Sequence, residues 1–264
     1  MLQTLRNILQ EPMLSGVAMD STARVEAHRA IIERKALTRS VFGEMQGLML
    51  ALEDRYTSGP GLRIELGAGA WPLKERDPEI LATDLVDAPH LDRTLDAQSM
   101  DLADKSVRTF FAQHVFHHFP EPRRFLREVN RTLSDKGAVI LIEPYWSPFA
   151  RFVFTRLFTS ESYDPQQENW ENPDNTAMLN ANQALSYIVF QRDRKNFENE
   201  FPGLRIAHHQ PLDNWIRYLM SGGVNFRQMV PNFMDRPLRG AEYALRPALG
   251  RSALHHVVVL ARNT

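Results

Sequence analysis

Apolar positions along this chain change period several times, and the changes mark out its elements. From Asp20 to about Tyr56, the residues Val25, Ile31, Ile32, Leu37, Val41, Met45, Leu48 and Leu52 recur every three to four positions. Arg24, Glu26, Arg29, Glu33, Arg34 and Lys35 occupy the other face. That spacing predicts one or two amphipathic helices packed on a sheet edge, capped by Asp20 or Ser21 and ended by Ser58-Gly59-Pro60-Gly61. Short apolar runs then predict strands at 62–66, 80–84, 93–96, 106–112 and 137–143. Between the last two strands, Phe125, Leu126, Val129 and Leu133 form the buried stripe of a helix at 121–132, with Arg123, Arg124, Arg127 and Arg131 on its solvated face. Strands alternating with helical segments argue for an α/β fold, a parallel sheet with helices on both faces.

Two stretches break the alternation, about 144–202 and 214–251. The first begins with a dense aromatic run, Tyr145 to Phe158, followed by a polar Asn/Pro-rich stretch and a helix from about Asn180 to Phe190. The second carries Trp215, Tyr218, Gly222-Gly223 and Phe226. Between and after them, Leu204–His209 and Leu254–Ala261 read as further strands. Insertions at these positions emerge beside the carboxyl ends of the strands, where substrate lids sit in α/β folds.

Composition narrows the function classes. A chain of 264 residues fits one domain with insertions, here a helical segment at 1–58 and a main domain at 59–264. The net charge of −1 argues against a general nucleic-acid binder, which needs a basic surface. With no cysteine, disulfides and thiolate chemistry are excluded, and a cytoplasmic protein is expected. No apolar run reaches the ~20 residues of a membrane span, so no integral membrane segment is expected. Helical spacing of Leu2, Leu5, Ile8 and Leu9 is interrupted by polar residues and does not make a signal peptide.

Candidate chemistry starts at the first strand. Arg63-Ile64-Glu65-Leu66 runs straight into Gly67-Ala68-Gly69, a turn that lets a ligand approach backbone N–H groups. Asp84 follows nineteen residues after Glu65, at the end of the next apolar run, where a carboxylate can hold a ribose diol. That interval is short for a full strand–helix–strand return, so the first helix is clipped, with Pro72 in its first turn. The series continues through Leu95-Asp96-Ala97-Gln98, Ser106-Val107-Arg108-Thr109-Phe110-Phe111 and His114-Val115-Phe116-His117-His118-Phe119. It closes with Leu133-Ser134-Asp135-Lys136-Gly137 and Ile140-Leu141-Ile142-Glu143-Pro144.

In order and spacing this series, over about residues 60–146, resembles the class I S-adenosylmethionine (SAM)-dependent methyltransferases, in their small-molecule, type 11-like branch. The resemblance implies a Rossmann-like sheet of seven strands, mostly parallel with the last strand antiparallel, and lid insertions after strands 5 and 6. It implies SAM as cofactor, with S-adenosylhomocysteine as product. Glu65, Gly67, Ala68 and Gly69 would line the methionine moiety. Asp84 would take the ribose hydroxyls with Leu85 on the adenine, and Asp96 the adenine amino group with Ala97 beside it. Gln113 and His114 would lie near the sulfonium. Trp71 and Pro72 stand where a dinucleotide loop has its third glycine, which weighs against a nicotinamide enzyme. Arg108 and Thr109 depart from the acid often found at the start of the fourth strand.

For catalysis, His114 is the candidate base, although methyl transfer can rest on in-line positioning in a dry pocket. The pairs His117-His118, His208-His209 and His255-His256 are adjacent, and adjacent residues on a strand face opposite ways, so no metal site is expected. The aromatic segment makes Tyr145, Trp146 and Phe149 the candidate contacts for a small or lipid-like acceptor. The expected reaction is methyl transfer to an oxygen or carbon nucleophile. The alternative is a SAM-binding or partner-binding protein of the same fold without turnover.

Overall fold

The computed structural model describes residues 9–18, 21–159, 161–171 and 181–263. The Asp20 cap, the start of the N-terminal pattern at Leu2, Leu5 and Ile8, and the predicted helix start at Asn180 lie outside these residues.

The helical N-terminal region is two helices, α1 (Thr22–Arg34) and α2 (Ala36–Tyr56). Ser21 caps the first, its hydroxyl accepting from the backbone N–H of Arg24. The break falls at Lys35, whose backbone is extended and whose side chain is buried. Its ammonium pairs with Glu11 at 3.2 Å and donates to the carbonyl oxygens of Gly223, at 3.1 Å, and Phe226. A residue read as part of a solvated face is therefore the joint between α1 and the second insertion.

The sheet has seven strands: β1 (Leu62–Leu66), β2 (Leu81–Asp84), β3 (Arg93–Thr94), β4 (Val107–Gln113), β5 (Leu133–Pro144), β6 (Leu204–Pro211) and β7 (His255–Arg262). Their spatial order is β3-β2-β1-β4-β5-β7-β6. The first five strands pair in parallel, and β7 runs antiparallel to both β5 and β6. This is the Rossmann-like arrangement with an antiparallel last strand. Alternate side chains of the central strands feed two layers. Phe110, Leu141 and Val258 pack on one face with Phe125, Leu126 and Val129 of α3 (Pro122–Thr132). On the other face Phe111, Ile140 and Val257 pack with Val41, Met45 and Met49 of α2.

Between β1 and β2 only a single 3₁₀ turn forms, Leu73–Glu75, preceded by Pro72. The clipped first helix is thus shorter than an α-helical turn, and Pro72 sits just before it. The first insertion contributes α4 (Pro148–Arg156), then α5 (Leu185–Tyr187), which continues as a π-helical turn at Ile188–Arg192, and α6 (Arg194–Glu200). The second contributes α7 (Trp215–Ser221) and α8 (Asp235–Leu249). No described helix is long and apolar enough to cross a membrane.

Candidate functional site

The turn after β1 is held open by two constraints. Gly67 has φ +61° and Gly69 φ +52°, in the left-handed region that side chains avoid. A Cβ on Gly67 would also come within 2.5 Å of Val115 Cγ2, from the turn after β4. The loop is then pinned to the neighbouring strand. Ala68 N–H donates to Thr83 O at 2.9 Å, and Gly69 N–H donates to Asp84 Oδ2 at 3.0 Å. Asp84 Oδ1 accepts from Val86 N–H at 3.0 Å. A carboxylate carries about four acceptor sites, so two backbone bonds leave room for a ligand diol.

These elements wall a cavity of about 540 Å³ over the carboxyl ends of β1, β2 and β4. That lies within the ~300–1,000 Å³ of cofactor and ligand sites. Gly67, Gly69, Asp84, Leu85, Asp96, Ala97 and His114 all line it. Leu85 is 60 % exposed, an apolar side chain left open beside a polar one, as a seat for a flat base requires. Asp96 Oδ1 takes Gln98 N–H at 2.8 Å. Helix α1 and its cap add Ser21, Arg24, Val25 and His28 to the lining. The residues present fit SAM: a side-chain-free cradle, a carboxylate with spare acceptors, and an open apolar ledge.

Three residues expected at the cofactor do not line this cavity. Glu65 is buried, and its Oε2 instead accepts from Leu73 N–H at 2.6 Å, fixing the 3₁₀ turn. Burial raises its pKa to about 8, against the pull of that hydrogen bond. Ala68 and Gln113 belong to the wall's supporting backbone.

His114 occupies an unusual position. Its φ of +57° is a strained conformation for a histidine, and its N–H donates to Ile142 O at 2.8 Å. Its Nε2 is buried with no hydrogen-bond partner among the described residues. The ring lies 4.7 Å, centroid to centroid, from that of His255, with Phe42 and Tyr218 edge-on. Burial lowers its pKa to about 4, so the imidazole is neutral at physiological pH.

A second cavity, of about 220 Å³, meets the first at Arg24, His28, His114 and His118, each of which lines both. Phe154 and Phe158 from the first insertion, and Tyr218 and Phe226 from the second, form its apolar wall. His117, Glu161 and Gln183 contribute polar lining. Tyr145, Trp146 and Phe149 line neither cavity. Trp146 stacks on Tyr187 at 5.1 Å, Phe149 packs on Trp215 at 4.6 Å, and Tyr145 meets His256 at 5.3 Å. The expected aromatic segment does reach the site, but through residues further along α4 and just past its end.

The histidine pairs also differ from expectation. His255 and His256 do face opposite ways on β7. His255 joins His114, whereas His256 bonds His209 and Ser186 on the other side. His117 and His118, however, lie in a 3₁₀ turn, Phe116–His118, and not on a strand. Their rings therefore share one side, with centroids 4.2 Å apart. His117 Nδ1 contacts Glu143 Oε2 at 2.5 Å, and His117 Nε2 contacts Glu161 Oε2 at 3.1 Å. Burial opposes charge on this histidine, but the two carboxylates outweigh it and raise its pKa. Glu143 is itself fixed, its Oε1 accepting from Val115 N–H at 2.9 Å and Phe116 N–H at 2.7 Å. None of Glu143, Glu161 or His28 was singled out from the sequence. Glu143 at the end of an apolar strand offered a signal; Glu161, alone in a polar stretch, offered none.

Comparison with known proteins bears on this geometry. The family described as "Methyltransferase domain" matches residues 76–141. No curated protein matches the chain in sequence. Among solved structures, the geranyl diphosphate C-methyltransferase of Streptomyces coelicolor A3(2) is 10 % identical with TM-score 0.46, covering 84 % of this chain and 77 % of its own. A SAM-dependent methyltransferase from Mesorhizobium loti is 15 % identical with TM-score 0.44, covering 80 % and 96 %. The phosphoethanolamine N-methyltransferase 2 of Haemonchus contortus is 10 % identical with TM-score 0.47, covering 95 % and 59 %. Likenesses this distant say nothing of the acceptor. The family match runs through β2, β3, β4 and most of β5, the strands whose ends present Asp84, Asp96 and His114. Over that stretch the chain is similar to the methyltransferase domain family.

Proposed function

We propose that the protein holds SAM in the larger cavity and transfers its methyl group to an oxygen or carbon nucleophile of a small molecule in the smaller one. The observation that carries this reading is the meeting of the two cavities at His114. SAM supplies a methyl group on a sulfonium, which leaves as the neutral thioether S-adenosylhomocysteine. The nucleophile's electron pair forms the new bond to the methyl carbon as the carbon–sulfur pair returns to sulfur.

The chain's own residues position and exclude water. Asp84 and the glycine turn fix the nucleoside end, so the donor's reactive end is directed toward His114. An imidazole kept neutral by burial is compatible with a cation beside it, where an imidazolium would repel it. Its Nε2 can accept a hydrogen bond from an acceptor hydroxyl or take up its proton. Phe154, Phe158, Tyr218 and Phe226 supply the dry apolar wall that in-line transfer requires. The polar lining favours an acceptor with an apolar body and an oxygen function, smaller than the cofactor.

The test is methyl transfer from radiolabelled SAM to a panel of small hydroxylated and enolisable acceptors. Turnover is expected with at least one of them, and Phe158→Ala should raise its KM more than it lowers kcat. SAM binding with no turnover across the panel would favour a binding protein of the same fold.

A further inference from the structure

We propose that His117, His118 and Glu161 form a binding site for a divalent transition-metal ion such as Zn²⁺ in the wall of the smaller cavity. The ion would hold and activate the oxygen of the acceptor. The activating role rests on the methyl-transfer reading above; the metal site itself does not.

The donor set is two imidazoles and a carboxylate, with the candidate ligand atoms all within 4.8 Å of one another. His117 Nε2 and Glu161 Oε2 are 3.1 Å apart, and His118 Nε2 lies 4.0 Å from Glu161 Oε1. Ligands ~2.1 Å from a metal are themselves about 3–3.5 Å apart, so small side-chain rotations would close the set around an ion. Nitrogen-rich donors of this kind suit Zn²⁺, Fe²⁺ or Co²⁺ better than Mg²⁺ or Ca²⁺, which prefer oxygen.

Two further features belong to a metal centre more than to a structural ion pair. The first is the carboxylate behind His117. Glu143 Oε2 contacts Nδ1 at 2.5 Å, and its other oxygen is locked by two backbone N–H groups. That arrangement fixes the ring with Nε2 aimed at Glu161, as carboxylates behind metal-bound histidines do. The second is the opening. All three residues line the smaller cavity, so an ion bound to them would keep positions free on the acceptor side.

The ion would solve a chemical difficulty of the site. A buried neutral His114 is a weak base, and an alcohol or enol gives up its proton reluctantly. Coordination lowers the pKa of a bound oxygen, so the acceptor's proton passes to solvent or His114. The metal-bound oxygen then attacks the methyl carbon as the carbon–sulfur bond breaks, and no redox partner is needed.

The experiment is Co²⁺ titration of tag-free, chelator-treated protein, read by absorption, with Zn²⁺ calorimetry alongside. One ion per chain at micromolar or tighter Kd is expected. His118→Ala and Glu161→Gln should each weaken Co²⁺ binding at least tenfold, and Glu143→Gln by about 10–100-fold. S-adenosylhomocysteine affinity of Glu161→Gln should stay within threefold of wild type, because Glu161 does not line the cofactor cavity. X-ray absorption of the wild-type Zn²⁺ complex should show two imidazole ligands, a readout that no variant's misfolding can blur. No binding below millimolar Co²⁺ and Zn²⁺, undiminished binding in both variants, or a zinc spectrum without imidazole would overturn the proposal. A failure to bind S-adenosylhomocysteine in wild type would strike the methyl-transfer reading and leave the metal result standing.

Discussion

Replacing Asp84 isolates the contact on which the cofactor assignment depends. In the free protein its Oδ2 tethers Gly69 and its Oδ1 closes a turn at Val86, both at 3.0 Å. Two consequences separate. Loss of the backbone bonds loosens the turn and shows as reduced stability. Loss of the acceptor proposed for the ribose hydroxyls should show as reduced affinity. A hydrogen bond to a charged group contributes about 1.5–3 kcal/mol, so removing one ligand contact should raise Kd by roughly 10- to 200-fold. Asparagine retains one acceptor oxygen and can satisfy only one of the two backbone donors, so Asp84→Asn should fall between wild type and Asp84→Ala. Calorimetric titration with S-adenosylhomocysteine measures all three. Repeating it with an analogue lacking the ribose hydroxyls completes a double-mutant cycle: the analogue should bind wild type more weakly, while Asp84→Ala should barely distinguish the two ligands. A folded Asp84→Ala with Kd within threefold of wild type would refute the assignment.

Three other expectations test different parts of the structure. Gly67→Ala meets both a positive φ and a Val115 methyl at 2.5 Å, whereas Gly69→Ala meets only the backbone penalty, its nearest atom being 3.7 Å away. The first should therefore abolish S-adenosylhomocysteine binding and the second weaken it modestly; equal effects in calorimetry would contradict the packing argument. Glu65 has a folded pKa near 8 against 4.5 in the open chain, so its contribution to stability is complete below pH 4.5 and lost as pH rises through 8. Glu65→Gln, whose carbonyl can still accept from Leu73 N–H, should remove roughly 3–5 kcal/mol of that decline; urea melts with the same pH slope as wild type would sink the idea. Glu53 is buried and accepts two of the three Arg63 guanidinium bonds, at 2.8 and 2.5 Å, plus Thr109 Oγ1 at 2.7 Å, the third going to Asp77 at 2.6 Å. Glu53→Ala should cost up to about 3–5 kcal/mol in urea unfolding by leaving Arg63 with Asp77 as its close remaining partner, and a loss below 1 kcal/mol would show the pair to be dispensable.

The strands were legible because most of them are buried on both faces and leave uninterrupted apolar runs, as at Ile140-Leu141-Ile142. The glycine turn and Asp84 were legible for a local reason: a turn without side chains beside an acid at a strand tip is a short-range pattern. What lay hidden depends on distant partners. Lys35 reads as one more charge on a helix face until the fold brings Glu11, Gly223 and Phe226 against it. Glu161 acquires meaning only when the first insertion returns it to the turn after β4. Strand logic was applied to His117-His118, although the run from His114 to Phe119 has no two-residue alternation and Pro120 ends it. In the aromatic segment helical periodicity sends Phe154 to the smaller cavity while Phe149 turns to Trp215, a division that the run of aromatic residues does not reveal. Glu65 shows the converse: a buried acid on a functional strand whose described contact is structural.

The most direct test of the account is calorimetric titration of SAM and S-adenosylhomocysteine into the wild-type protein, with NAD as control. The account predicts one site per chain at micromolar Kd for the first two and no binding of NAD. Absence of heat with both sulfur compounds, or competition of NAD for the same site, would contradict the reading of the cavity formed by Gly67, Gly69, Asp84 and His114.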